Sequence, residues 1–253
     1  MYAEERQQRI IERTRAEGRA EVTALADLLG VTAETIRRDL TVLERHGVLR
    51  RVHGGAIPVD RLRFETALDT RDALRRGEKE RIAAAALEEL GDASSILLDA
   101  GSTTARLAAL LPRDRELTVV TDSLSIASEL APRTNVTLMM LGGRVRGRTL
   151  AAVGDWTVRA LRELVVDVAV LGTNGVSVAR GLTTPDPEEA AVKRAMLAAG
   201  RHVVAVADHT KLGDDQFARF GGLDELDVLV TDTGVDEDTA REIAAAGPRV
   251  VRA

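Results

Sequence analysis

The sequence predicts an α/β protein in two parts: a small helical unit ending in a hairpin, then a larger domain built on a mainly parallel sheet. Three observations predict it. Residues 20–56 set two short helix patterns across a glycine turn and follow them with a basic Gly-Gly hairpin. From residue 95 onward, short apolar runs alternate with helical stretches, as in a sheet covered on both faces. At 253 residues and 45% hydrophobic content the chain can support two cores, although aromatics at 2% leave the packing to Leu, Val, Ile and Ala.

Residues 1–17 read as a first helix anchored by Ile10 and Ile11. A second helix covers 23–29, and Gly30-Val31 breaks it. Thr32 then caps a third helix running to His46, its hydroxyl placed to accept a first-turn N–H, and Gly47 closes it. At 100° per residue, Leu40 and Leu43 fall within about 40° of Ile36. All three are expected in the small core with Leu25, Leu28 and Val31. The opposite face carries Glu34, Arg38, Thr41 and Arg45, flanked by Thr35 and Arg37.

That face has the chemistry of a DNA-reading helix, because Arg can fork onto guanine O6 and N7 while Thr reaches a base edge or a phosphate. Its N-terminal residues, from Thr32 to Arg38, would enter the major groove first. The following 48–56 segment reads as the wing of a winged helix-turn-helix, with Arg50, Arg51 and His53 available to phosphates.

Net charge is −5, which by itself argues against nucleic acid. Its distribution reverses that conclusion. Residues 1–63 balance at +2 and the remainder at −7, so the DNA-facing charge is local and the acidic remainder limits indiscriminate binding. Cysteine is absent, which excludes disulfides and thiolate chemistry. The four histidines show no metal-ligand spacing, and no cofactor motif is present. Without an apolar leader or a run of about 18 apolar residues, a cytoplasmic location is expected.

Residues 58–76 are polar and weakly periodic, the expected linker between a DNA-binding domain at 1–57 and a second domain at 77–253. After an Ala-rich helix at 78–90, strands are expected at 95–99, 117–121, 137–141, 166–171, 202–207, 228–231 and 249–251. Helices are expected at 103–111, 123–131, 155–164, 187–199 and 236–246, with Trp156 packing its helix onto the sheet. Ligands of such sheets bind beyond the carboxyl ends of strands. There the chain places Asp99-Ala-Gly-Ser-Thr-Thr104, Thr121-Asp-Ser123, Gly142-Gly-Arg-Val-Arg146, Gly172-Thr-Asn-Gly175 and Asp208-His-Thr-Lys211. Gly101, Ser102, Thr103 and Thr104 open a helix, a combination that favours a phosphate. Each loop also admits a purely conformational reading as turn chemistry.

Val31-Thr-Ala-Glu-Thr-Ile-Arg-Arg-Asp-Leu40 and Arg51-Val-His-Gly-Gly-Ala56 resemble the DeoR family of bacterial sugar-metabolism regulators. The resemblance continues through Leu98-Asp-Ala-Gly-Ser-Thr-Thr104, Leu141-Gly-Gly-Arg144, Gly181-Leu-Thr-Thr-Pro-Asp186, Glu189-Ala-Ala-Val-Lys-Arg194 and Ala207-Asp-His-Thr-Lys211. It implies a repressor whose sensor domain is of the ribose-5-phosphate-isomerase type and whose effector is a phosphorylated sugar. It also implies the pocket. Asp99 and Gly101 to Thr104 would form the phosphate loop. Thr121, Asp122, Ser123, Gly142, Gly143, Gly172, Asn174, Gly175, Glu189, Lys193, Asp208 and Lys211 would line the rest.

Met1-Tyr-Ala-Glu-Glu-Arg6 and Gly142-Gly-Arg-Val-Arg146 look closest to the actinobacterial fructose-operon branch, which favours fructose 1-phosphate. Asn174 departs from the pattern, since many relatives carry Asp there and Asn cannot act as a general base. No catalytic residue is therefore expected. The alternative is a sugar-phosphate isomerase carrying a DNA-binding arm. One winged helix contacts one half-site, so double-stranded operator DNA implies a homodimer or homotetramer.

Overall fold

The computed structural model describes residues 3–17, 20–45, 49–52, 54–58 and 68–253. Gly47, His53 and residues 59–67 of the expected linker lie outside them. The chain forms two compact units, Met1–Phe64 and Glu65–Ala253.

In the first unit, α1 (Ala3–Glu17), β1 (Ala20–Glu21), α2 (Val22–Leu29) and α3 (Ala33–Arg45) precede the wing strands β2 (Leu49–Val52) and β3 (Gly55–Pro58). Gly30 ends α2 in the left-handed conformation at φ 64°, the expected break. Thr32 Oγ1 accepts the Thr35 N–H at 3.2 Å and caps α3. Ile10, Leu25, Ile36, Leu40, Leu43 and Leu49 fill the core, and Val31 packs at its margin. Leu28 does not join them. It is 58% exposed and Leu29 is buried instead, because the inward face of α2 runs through Val22, Leu25, Ala26 and Leu29, at i, i+3, i+4 and i+7, and Leu28 falls off it. The wing carries a third strand, β1, antiparallel to β3. Gly55 permits that approach, since a Cβ there would lie 2.1 Å from the Ala20 carbonyl oxygen.

The second unit opens with two helices, α4 (Leu68–Ala73) and α5 (Arg76–Glu88). This corrects the linker assignment for residues 68–76. Leu68 N–H donates to Arg148 O, and Lys79 Nζ donates to the carbonyls of Arg71 and Leu74. A short polar stretch with few apolar positions is thus held by caps that periodicity does not reveal.

Then follow β4 (Ser95–Leu98), α6 (Ser102–Leu110), β5 (Leu117–Thr121), α7 (Leu124–Leu130), β6 (Val136–Met140), β7 (Arg144–Val145), β8 (Ala152–Val153), α8 (Asp155–Arg162) and β9 (Val166–Gly172). The chain continues through β10 (Gly175–Ser177), β11 (Gly181–Thr184), α9 (Pro187–Ala199), β12 (Gly200–Val206), β13 (Ala218–Gly221), β14 (Val228–Thr231), α10 (Glu237–Ala245) and β15 (Arg249–Arg252). Seven strands form one sheet in the order β15-β14-β12-β9-β4-β5-β6, every pairing parallel.

Successive residues of one strand enter opposite cores. Ile96 and Leu98 pack with Ile82, Leu107 and Ile126 on one face, and Leu97 packs with Leu171, Met196 and Phe220 on the other. The small sheet β10-β11-β13 and the β7–β8 hairpin are additions that short, mixed-polarity strands hide from sequence reading. Trp156 does not pack on the sheet. It is 74% exposed, while Thr157 and Leu161 supply the inward face of α8.

Strand order reverses direction between β4 and β9. Connections from β4 run outward to β5 and β6, and those from β9 run the other way to β12, β14 and β15. That junction is the topological switch point, the place where open sheets of this kind set a ligand crevice beyond the carboxyl ends of their strands.

Candidate functional site

On the first unit, α3 presents Glu34, Arg37 and Arg38 to solvent, with side-chain exposures of 62%, 55% and 81%. Glu34 pairs with both arginines, at 3.4 and 3.7 Å, holding the forks along the helix surface. Thr32 is exposed, Thr35 is half-buried beside it, and Thr41 donates its hydroxyl to Arg37 O at 2.8 Å. The backbone places Arg45 at the end of α3 and Arg50 and Arg51 in the wing strand β2. His53 lies outside the described residues.

Asp39 is the residue sequence reading passed over. It is buried, and its carboxylate accepts from Arg6 at 2.6 Å and Gln7 at 3.1 Å, fastening α1 across the back of the reading helix. A lone Asp on the apolar side of α3 was the available signal.

On the second unit, the switch point gathers a buried charge cluster. Asp99, at the end of β4, accepts the Gly172 N–H at 2.8 Å from the end of β9 and pairs with Lys193 of α9. Lys193 Nζ also donates to Gly172 O at 3.0 Å. Asp122, after β5, accepts the Ala100 N–H at 2.8 Å. Burial raises the carboxyls of Asp99 and Asp122 above the usual range, Asp122 well above it because Asp99 and Glu189 add repulsion. Burial alone would lower the Lys193 ammonium, but Asp99 and Glu189 outweigh it and raise the group.

Glu189 is buried on the first turn of α9, which Asp186 caps. It accepts from Arg146 and from Thr149 Oγ1 at 2.7 Å. The Thr184 hydroxyl lies 3.3 Å from Glu189 and 3.1 Å from Asn174 Oδ1. Arg146, Thr149, Thr184 and Asp186 were not among the expected site residues. Asp186, three residues before Glu189, could have been suggested as the cap of α9, whereas Arg146, 43 residues away, could not.

Other expected residues serve the frame. Thr121 donates to Leu98 O at 2.7 Å, Ser123 caps α7, and Thr104 donates to Gly101 O at 3.0 Å. Gly142 O accepts from Thr157, and Gly143 (φ 153°) is pressed against β8, where a Cβ would lie 2.7 Å from Val153 O. Gly175 packs as tightly on Asp214. Each of these residues thus has a conformational role in its loop.

The start of α6 is different. Gly101 leads into it with no side-chain cap, so Ser102 and Thr103 present first-turn N–H groups beyond β4. Past β12, Asp208 caps a 3₁₀ turn, His209–Lys211. Lys79 stands in the fields of Asp208, Arg106, Lys211 and Arg71; burial, reinforced by the three cations, lowers its ammonium to about 8. No cluster of metal-ligating side chains and no helix long and apolar enough to cross a membrane occurs among the described residues.

The helix-turn-helix model of the DeoR-like type matches residues 6–61, and the DeoR C-terminal sensor domain model matches residues 75–233. The chain belongs to the DeoR family. It is 38% identical over 251 residues to the HTH-type transcriptional regulator GlpR of Haloferax volcanii, covering 99% of this chain and 98% of that one. It is 30% identical to the glycerol-3-phosphate regulon repressor of Escherichia coli, covering 92% of each. The protein is therefore a DNA-binding transcriptional regulator with a sensor domain, and these relatives are named as regulators rather than enzymes. Ribose 5-phosphate isomerase A of Methanocaldococcus jannaschii aligns with 53% of this chain and 52% of its own, at 19% identity and a TM-score of 0.37.

Proposed function

We propose that this DeoR-family protein represses carbohydrate genes and leaves its operator when a phosphorylated sugar fills the switch-point crevice. The observation that carries the reading is the convergence of Asp99, Asp122, Glu189 and Lys193 where β4 and β9 diverge. Buried carboxylates in a polar cleft suit hydroxyl donors, which a sugar supplies in number. The uncapped start of α6, with Lys79, Arg106 and Lys211, suits the phosphate. Fructose 1-phosphate is the favoured effector, on the fructose-operon likeness of residues 1–6 and 142–146. The relatives' names add support: one is FruR of Bacillus subtilis, and another is a putative aga operon transcriptional repressor of Escherichia coli.

Repression relief requires the sugar phosphate to bind the DNA-incompetent arrangement better, since equal affinity for both states shifts nothing. The test is fluorescence anisotropy on operator duplexes selected from random DNA by the full chain. Fructose 1-phosphate, fructose 6-phosphate, fructose 1,6-bisphosphate and glycerol phosphate are titrated in turn, with free fructose as control. One phosphorylated compound should weaken operator binding by about 5- to 150-fold. If none does, the sensor reading fails.

A further inference from the structure

The two edges of the seven-stranded sheet are built differently. β15 carries Arg249 and Arg252 at its two ends, which blunts that edge against pairing. β6, Val136-Thr-Leu-Met-Met140, has no charge at all. Its Met139 is 44% exposed, and Thr137 and Met140 are exposed beside it.

The register fixes which backbone groups are open. Leu117 N–H donates to Asn135 O and Leu141 N–H donates to Thr121 O. Odd-numbered residues from 135 to 141 therefore face β5, and Val136, Leu138 and Met140 turn their backbone groups away from it; the Val136 N–H is taken by Arg133 O at 3.3 Å, which leaves the Val136 carbonyl and both groups of Leu138 and Met140 for a neighbour. Among the described residues no strand pairs with them.

We propose that a second copy of this chain occupies this edge, β6 pairing antiparallel with β6 of its partner about a two-fold axis at Leu138. Only the outward groups then form ladder bonds: Leu138 exchanges both bonds with Leu138 of the partner, and the Met140 N–H of each copy donates to the Val136 carbonyl of the other. Thr137 of one copy stands opposite Met139 of the other, and no like charges meet. The edge is thus complementary to itself, as a two-fold contact requires. Pairing with β15 of another copy would bring its arginines onto an apolar strand. A five-residue ladder is small beside a stable interface, and exposed Leu124 and Val145, near the carboxyl end of β6 in chain and register, extend the apolar contact. The assembly would join two sensor units into one continuous sheet of fourteen strands.

The chain has no cysteine, which allows a register-specific test in the full-length protein. In the double variant Thr137→Cys/Met139→Cys, opposed Cα atoms at a non-hydrogen-bonded pair lie about 4.5 Å apart, within disulfide range. Mild oxidation should give a covalent dimer on a non-reducing gel. Sedimentation equilibrium should show wild-type dimers. Thr137→Lys/Met139→Lys sets lysines opposite each other twice, so association should weaken by at least about tenfold. Met140→Pro, which deletes one outward N–H per copy and no bond to β5, should also weaken it.

Melting curves confirm that each variant is folded. If Met140→Pro does not fold, the lysine pair and the cysteine pair decide. A monomeric wild type, lysine variants that dimerise like wild type, or a dimer that never cross-links through 137 and 139 would each overturn the proposal. The last result would hand the edge to another occupant, such as a different protein strand.

Discussion

Lys193 is the most informative residue to remove. It is 5% exposed and gives the nearest positive charge to Asp99, which is 1% exposed, with Asp122 and Glu189 close by. Lys193→Met keeps most of the apolar stem and deletes only the ammonium, leaving Asp99 with the Gly172 N–H as its remaining donor. Breaking a buried pair from one side costs about 3–5 kcal/mol. For a unit of this size, each kcal/mol lowers the melting temperature by about 2–4 °C, so a drop of about 6–20 °C is expected by calorimetry. The sign of the pH dependence follows from the direction of the shifts. Asp99 already holds its proton more tightly than a free carboxyl, and without Lys193 it holds it more tightly still. The cost should therefore be largest near neutral pH and shrink as pH falls through the carboxylate range. Adding Asp99→Asn should recover most of the loss. A penalty below about 1 kcal/mol, or no recovery in the double variant, would show that the pair is not the electrostatic centre of the crevice.

On the reading helix, Arg38→Ala should cost about 1–3 kcal/mol on operator DNA and much less on random DNA, measured as a specificity ratio by anisotropy. Asp39→Ala should destabilise the DNA-binding unit by about 1–3 kcal/mol through loss of the Arg6 and Gln7 bonds, read from urea melts of the full chain. Asp167 is pulled down to about 2 by the hydroxyl and N–H of Ser95 and then of Ser94. Its stabilisation is complete above the ordinary carboxylate value and lost as pH falls toward 2. Asp167→Ala should accordingly lower the melting temperature at pH 6 and converge with wild type at pH 2.

Much of this was legible in the sequence because it rests on local signals. Period-3.6 patterns, the Thr32 cap and the Gly30 stop define the reading helix, and near-continuous apolar runs define the parallel strands. The strand-end motifs foretold the buried polar cluster of Asp99, Asp122, Glu189 and Lys193, because a doubly covered parallel sheet leaves little other space for polar groups. What stayed hidden depends on long-range geometry. Nothing near Asp39 in the chain announces Arg6, 33 residues earlier. Residues 68–76 read as linker because α4 is held by the Lys79 ammonium on its last carbonyls rather than by an apolar stripe. Gly143 and Gly175 read as ligand-side glycines, and close packing against β8 and Asp214 also requires glycine at both. Loop glycines alone cannot separate the two roles.

The crevice also divides its charges. Asp99, Asp122 and Glu189 stand around Lys193, while Arg106, Lys211, Arg71 and Asp208 stand around Lys79. A neutral sugar could engage the first group and would leave the second with its excess of cations. A phosphate dianion would answer that excess, which is why phosphorylation should decide whether a sugar is sensed. Lys79 makes the idea measurable. Burial and its cationic neighbours hold its ammonium at about 8, so at pH 8.5 a substantial share of the free protein carries it neutral. An anion bound beside it favours the charged form and raises that value, so binding must take up protons. Calorimetric titration with fructose 1-phosphate at pH 8.5, in two buffers of different ionisation enthalpy, should reveal net uptake that fades by pH 6.5, where Lys79 is already charged. Lys79→Met should abolish the uptake. Binding with no proton exchange at pH 8.5, or uptake unchanged in Lys79→Met, would place the phosphate elsewhere and leave the start of α6 as its sole anchor.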